Sequence, residues 1–260
     1  MPELPEVTAL VEELDRRTQG SVLAAADLAA VSVLKTFDPP LADCVGSTVA
    51  AVTRRGKFIC WELDETYLVV HLARAGWLKW LDTVPARPAR PGRGPLMLRL
   101  VFASRDGESR GRCDLTEAGT RKSSSVYVVR SLSDVPGIAR LGPDPLAPSF
   151  TADDLAAVLA EAGRSQVKGV LRDQRKLAGI GNAYSDEILH AARLSPFKPA
   201  DSLDAAGVAA LLEQVRTVLG QALDSARQQP ITELKDDKRR NMRVHGRTGE
   251  ACPVCGDRIR

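Results

Sequence analysis

The chain has 260 residues, 44% of them hydrophobic and 27% charged, with 36 Lys and Arg against 33 Asp and Glu for a formal net charge of +3. That apolar content supports a packed core and excludes a disordered chain, and the near balance of charge means that a polyanion would be met by local patches rather than by a global field. No apolar run approaches the roughly 20 residues of a membrane helix, the start MPELPEVTALVEELDRR has no secretory apolar region, and five scattered cysteines make no disulfide framework. No membrane partner and a reducing, cytoplasmic location are expected.

A helix opens the chain. Pro5 suits its first turn, Glu6 its positive dipole end, and Val7, Leu10, Val11 and Leu14 recur at helical spacing as a buried stripe. From Val22 to Val129 the sequence breaks into short β-type runs, Thr48–Thr53, Phe58–Leu63, Tyr67–Ala73, Leu96–Ala103 and Ser125–Val129. Their spacing of roughly 8 to 15 residues predicts an antiparallel sandwich rather than alternating βαβ units. Residues 84–95 hold four prolines and read as an exposed loop; residues 136–150 hold four more and read as an interdomain linker. Thr151, with Asp154 three residues on, opens a helix, and further helical stretches are expected at 166–172, 183–192 and 203–227.

Two short windows are basic. Residues 164–176 carry Arg164, Lys168, Arg172, Arg175 and Lys176 against Asp173; residues 235–247 carry Lys235, Lys238, Arg239, Arg240, Arg243 and Arg247 against Asp236 and Asp237. Each is compatible with phosphate contacts or with a solvated face.

Four groups bear chemistry. Removal of Met1 would leave Pro2 as a free secondary amine, nucleophilic near neutral pH and able to form an iminium ion directly. Glu3 beside it is a candidate proton donor and Glu6 a candidate support; a proline-capped helix start and a tautomerase-type base are the other readings. Lys57, in the turn Arg54-Arg55-Gly56-Lys57-Phe58, is either a phosphate or sugar contact or a strand-edge charge, and His71 either a ligand contact or a core histidine. The run LAGIGNAYSDE from Leu177 has Gly179 and Gly181 for a tight turn and Asn182 as the expected N-cap of the next helix, a phosphate-binding geometry. Cys252 and Cys255, spaced C-x-x-C, look like the first half of a four-cysteine zinc ribbon.

In that order, Pro2-Glu3-Leu4-Pro5-Glu6-Val7, Arg-Gly-Lys57-Phe, Val-His71-Leu, Leu141-Gly-Pro-Asp144-Pro-Leu, Gly179-x-Gly-Asn182 and Val244-x-Gly-Arg247-x-Gly-Glu250-x-Cys252-x-x-Cys255 resemble the formamidopyrimidine-DNA glycosylase and endonuclease VIII family across nearly the whole chain. The resemblance implies an α+β fold: an N-terminal antiparallel β-sandwich flanked by helices (1–135), a linker (136–150), a helix-two-turn-helix domain (151–230) and a truncated zinc ribbon (231–260). It implies a bifunctional base-excision enzyme acting as a monomer on damaged double-stranded DNA, in a bacterium at the nucleoid. Pro2 would be the Schiff-base nucleophile, Glu3 the general acid, Lys57 the assistant in strand scission, and Glu6 the support of the terminus. His71, Asn182 and Arg247 would contact the DNA backbone, and Lys168, from the first basic window, is a further candidate DNA contact. Zinc is the family's metal, with two of its four ligands present in Cys252 and Cys255; no organic cofactor is expected.

The chain also departs from the family. Where the family fills the gap left by a flipped base with Met and an Arg-Arg-Phe wedge, this sequence reads His71-Leu-Ala-Arg74-Ala-Gly and Asp114-Leu-Thr-Glu117-Ala-Gly, so Arg74 is the candidate filler. The stretch from Ile231 to Val244, where the family has a lesion-capping loop, is short. The competing reading from another class is a DNA-lesion or abasic-site binding protein without turnover.

Overall fold

The computed structural model describes residues 1–92, 94–118 and 122–260. It divides into two compact units, one of residues 1–2 and 7–139, the other of residues 3–6 and 140–260.

The first unit is built from most of helix α1 (Leu4–Thr18) and two four-stranded antiparallel sheets. Val7, Leu10, Val11 and Leu14 of α1 are all buried, as their spacing requires of a one-sided helix. One sheet runs β1 (Val22–Leu28), β6 (Leu96–Ala103), β7 (Ser109–Glu117), β5 (Gly76–Leu81); the other runs β2 (Val49–Arg55), β3 (Phe58–Leu63), β4 (Thr66–His71), β8 (Ser125–Val129). Leu23, Phe102 and Leu78 from the first sheet and Trp61, Leu63 and Leu68 from the second are at most 1% exposed, the two-faced supply of apolar residues that an all-β core needs. The buried thiols of Cys44, Cys60 and Cys113 belong to this unit; burial pushes Cys60 up to about 12 and raises the other two, so all three are unreactive packing groups.

Phe58–Leu63, Leu96–Ala103 and Ser125–Val129 keep the predicted bounds, whereas β1, β5 and β7 fall outside the expected runs. Strand β7 is concealed by charge. Its Asp114 is 6% exposed and takes Arg99 at 2.9 Å and Arg112 at 3.3 Å, and its Glu117, 1% exposed, accepts the amides of Ser123 and Ser124. Carboxylates paired in this way occupy positions where alternation leads one to expect apolar residues. Gly119, at the end of the segment that stands in place of the family's wedge, lies outside the described residues, as does Arg93 in the proline-rich loop.

The second unit closes around Phe150, Leu155, Leu171, Ile180, Ile188 and Leu211, with Leu4 of α1 in the same cluster. Helix α2 (Ala152–Ala162) begins with the expected capping box, Thr151 accepting the Asp154 amide and Asp154 accepting that of Thr151 at 2.7 Å. Helices α3 (Val167–Arg172) and α4 (Asn182–Ala191) flank the glycine-rich turn. The long helix α5 (Ala205–Arg227) starts two residues later than the expected Leu203, because Asp204 caps it through the Gly207 amide at 2.8 Å.

The stretch from Ile231 to Val244 contains a helix, α6 (Leu234–Asn241), which corrects its reading as a loop. Its sequence LKDDKRRN is too polar for an apolar period to show. Leu234 and Asp237 are nonetheless buried on one face, and Asp237 ties that face to α5 through the Ser225 hydroxyl at 2.9 Å. Among the described residues no helix is long and apolar enough to cross a membrane.

Candidate active site

Three backbone amides at the start of α4 converge on the Glu3 carboxylate: Gly181 at 2.6 Å, Ala183 at 3.0 Å and Tyr184 at 3.3 Å. This corrects the assignment of Asn182 as N-cap. Gly181 is the cap and makes no side-chain bond, so the orphan donors of the helix are satisfied by a carboxylate from a distant part of the chain, at the end where the helix dipole favours negative charge. Asn182 is the first helical residue and is exposed. The approach is close enough that a Cβ on Gly181 would lie 2.5 Å from the Glu3 carboxyl carbon, and one on Gly179, whose φ is +93°, would lie 2.8 Å from Leu4.

The turn that presents these amides is held by Gln174, which sequence reasoning missed. Its side chain accepts the Gly179 amide at 2.9 Å and donates to the Ile180 carbonyl at 2.7 Å, while Leu4 donates its amide to the Gly179 carbonyl at 3.0 Å.

Glu6 completes the arrangement. It accepts the Glu3 amide at 2.8 Å, the Tyr184 hydroxyl at 2.5 Å and the Lys238 ammonium at 2.8 Å. Burial, followed by the charge of Glu6, drives the Tyr184 phenol far above its ordinary range, so it serves as a fixed hydrogen-bond donor. Glu6 thus holds the backbone of Glu3, the residue next to Pro2. Beside this group is a cavity of about 370 Å³, lined by Glu6, Tyr184, Gln221, Asp237, Lys238 and Met242 among others. Glu187, a second residue that sequence reasoning missed, accepts the amides of Arg243, Val244 and His245 at 2.8–2.9 Å and so fixes the segment leading to Arg247.

Lys57 is 7% exposed in the turn between β2 and β3, and His71 at the end of β4 pairs with Phe58 across β3, their rings 4.6 Å apart. Burial, followed by the charge of Lys57, pushes the His71 imidazole down to about 4, so it is neutral near pH 7. The unfolded chain takes up this proton first, at about 6.5. The stability that His71 contributes as a neutral ring is therefore complete above that pH and is lost as the pH falls toward 4, up to about 3 kcal/mol. Thermal melts between pH 7 and 4 are expected to show this slope and a His71→Phe variant to reduce it; parallel slopes would mean that the ring does not titrate in this window.

Arg74 is exposed in the turn between β4 and β5, next to Ala73 at φ +48°. In the other unit, Lys168 is paired with Asp186 at 2.6 Å, and Asp186 also takes His245 at 2.8 Å. Arg247 donates to the Met242 carbonyl at 2.6 Å and to Glu250 at 3.1 Å. The basic windows are accordingly pairing surfaces in part: Arg175 binds Asp173, Lys176 binds Glu161, and Lys238 is turned inward.

Cys252 and Cys255 sit on a small hairpin closed by the Cys252 amide to the Asp257 carbonyl at 2.7 Å and the Gly256 amide to the Cys252 carbonyl at 2.9 Å. The Cys252 thiol is brought down to about 6, chiefly by the backbone amides of Cys255 and Val254, with His190 Nε2 at 3.3 Å adding to the effect. Among the described residues, however, no group of three or more His, Cys, Asp or Glu side chains is arranged to hold a metal ion, so the pair does not by itself fit zinc.

Two helices across a glycine-rich turn, the second capped by the glutamate that follows an N-terminal proline, define a helix-two-turn-helix protein. Residues 141–232 match the helix-two-turn-helix domain of formamidopyrimidine-DNA glycosylase and residues 1–122 its N-terminal domain. The chain belongs to the formamidopyrimidine-DNA glycosylase family. It is 35% identical to the formamidopyrimidine-DNA glycosylase of Moorella thermoacetica over 98% of this chain and 92% of that one. It is 46% identical to an uncharacterized formamidopyrimidine-DNA glycosylase-like protein of Mycobacterium tuberculosis, over 50% of this chain and 80% of that one. The crystal structure of the MutM (Fpg) protein of Thermus thermophilus superposes with a TM-score of 0.80 at 28% identity, covering 99% of this chain and 92% of that chain.

Proposed function

We propose that this chain is a base-excision DNA glycosylase with abasic-site lyase activity, acting as a monomer on damaged duplex DNA. The observation that carries the reading is the Glu3 carboxylate, immobilised by three amides in the residue next to Pro2. A proton donor fixed beside a secondary amine is what this chemistry requires.

Once Met1 is removed, the Pro2 nitrogen attacks C1′ of the lesion nucleotide and the bond from C1′ to the base breaks, the base leaving with a proton. Glu3 supplies the proton that opens the sugar ring, giving an iminium ion between Pro2 and C1′. That cation withdraws electrons, C2′ loses a proton to water, and the C3′–O bond breaks by β-elimination, the 3′ phosphate leaving. The extruded base needs space, and the cavity beside Glu6 and Tyr184 falls within the size range of small-molecule sites, about 300–1,000 Å³. In this reading Lys57, Asn182 and Arg247 contact phosphates around the lesion and Arg74 fills the gap left by the flipped base, with neutral His71 acting as a hydrogen-bonding rather than a charged partner. Lys168 contributes only by exchanging Asp186 for phosphate. The relatives' names, formamidopyrimidine-DNA glycosylase, support the glycosylase part of this reading.

The test is borohydride trapping on duplexes carrying an abasic site, 8-oxoguanine or an oxidised pyrimidine, with Met1 removal established by intact mass and Pro2→Gly as control. A trapped adduct that vanishes in the control is expected, and the duplex that traps best names the lesion class. Salt-sensitive binding to the abasic duplex with no adduct on any substrate would replace the enzyme by a lesion-binding protein.

A further inference from the structure

We propose that Lys238 is a positioning residue for the Glu3–Glu6 pair. Its ammonium lies 2.8 Å from Glu6 Oε2, 3.6 Å from Glu3 Oε1 and 4.4 Å from the centre of the Tyr184 ring, and its side chain is 12% exposed. A lysine in a basic run is ordinarily a solvated or phosphate-binding charge. This one is withdrawn from solvent and spends its charge on two carboxylates that sequence and geometry connect to the reaction.

The helix is built to deliver it. Leu234 and Asp237 are buried, and Lys238 follows Leu234 by four residues, so it shares their inward face. Asp237 takes the Ser225 hydroxyl at 2.9 Å and the Asn241 amide at 3.1 Å, which fixes the rotation of α6 against α5.

The need for a cation follows from what surrounds it. Glu3 and Glu6 come from α1, Tyr184 and Glu187 from α4, and Asp237 from α6; α5 lines the same cavity with Gln214, Gln221 and Ser225, and Arg243 stands beyond α6. Two neighbouring carboxylates withdrawn from solvent repel each other. An ammonium in contact with both offsets that repulsion, keeps Glu6 as the acceptor of the Glu3 amide and the Tyr184 hydroxyl, and thereby holds the backbone that carries Pro2 and Glu3. A lysine over an aromatic face adds cation–π attraction that fixes its own position.

The rate arm of the test rests on the enzymatic reading above, whereas the titration arm does not. In single-turnover excision, Lys238→Met is expected to lower the rate about 10- to 100-fold with duplex affinity changed less than about 3-fold. Lys238→Arg, which keeps the charge, should recover most of the rate. Independently of turnover, carbon-13 spectra of the glutamate side-chain carboxyls should show buried signals that titrate at higher pH in Lys238→Met than in the wild type, and near wild type in Lys238→Arg. Unchanged carboxyl titrations in a folded Lys238→Met protein would overturn the proposal whether or not the wild type is active. Loss of duplex affinity in proportion to rate would overturn it in favour of a phosphate contact. A wild type that traps no adduct while the carboxyl titrations shift as expected would remove the enzymatic reading and leave the role of Lys238 toward the carboxylate pair intact.

Discussion

Glu3→Gln is expected to lower single-turnover base excision and borohydride trapping about 10²- to 10⁴-fold, the contribution of a well-placed proton donor, while the protein stays folded. The side chain has two duties that this substitution separates. As a cap, Glu3 offers Oε2 to the Gly181 and Tyr184 amides and Oε1 to that of Ala183. Glutamine keeps one oxygen for the first two and sets its NH₂ against the third, a loss of about 1–3 kcal/mol for the misplaced donor. As an acid it has nothing left, since a carboxamide does not transfer a proton at neutral pH. A variant that melts a few degrees lower but excises within tenfold of the wild type would make Glu3 a helix cap and no more; circular dichroism melts beside single-turnover kinetics decide between the two.

Gly181→Ala tests the same carboxylate without touching it. The added methyl would sit 2.5 Å from the Glu3 carboxyl carbon and 2.7 and 2.8 Å from its oxygens, so the end of that side chain must move. Gly181 has φ −128°, a backbone conformation open to alanine, so the strain falls on the Glu3 carboxylate and its three amide bonds. The loss of stability is expected to be about 1–3 kcal/mol, as for the misplaced donor in Glu3→Gln. The loss of rate is expected to be large, about 10²-fold, because a shift of about 1 Å in a reacting group has that effect. Single-turnover excision beside a denaturant titration checks it. A normal rate would mean that Glu3 reacts from a position other than the one seen here, and a protein unfolded at room temperature would mean that the three amide bonds carry more of the fold than the geometry implies.

Much of the site was legible in short stretches of sequence. The Pro2-Glu3 pair, the glycine turn before α4, the Thr151–Asp154 capping box and the stripe of α1 each depend on neighbours within a turn or two, and local steric and hydrogen-bonding preferences act at that range. Strand β7 and helix α6 were not legible, for one reason. Each buries carboxylates, Asp114 and Glu117 in the strand and Asp237 in the helix, whose partners Arg99, Ser124 and Ser225 stand at least seven residues away. A periodicity of apolar residues cannot reveal a charge that is paid for by a remote partner.

What the sequence determined by itself was the inventory and its order: a nucleophile candidate, an acid beside it, a glycine turn, a basic tail and the family to which they belong. Only the tertiary structure decided what each group does. It made Glu3 rather than Asn182 the cap of α4, Gln174 the clasp of the glycine turn, and Lys238 an inward counter-charge instead of an outward one. The physical reason is that backbone conformation follows from local sterics, whereas the partner of a charge or an orphan amide follows from desolvation. Residues 178 to 232 positions apart in the chain, such as Glu3 with Gly181 and Glu6 with Lys238, meet only when the core has closed around them.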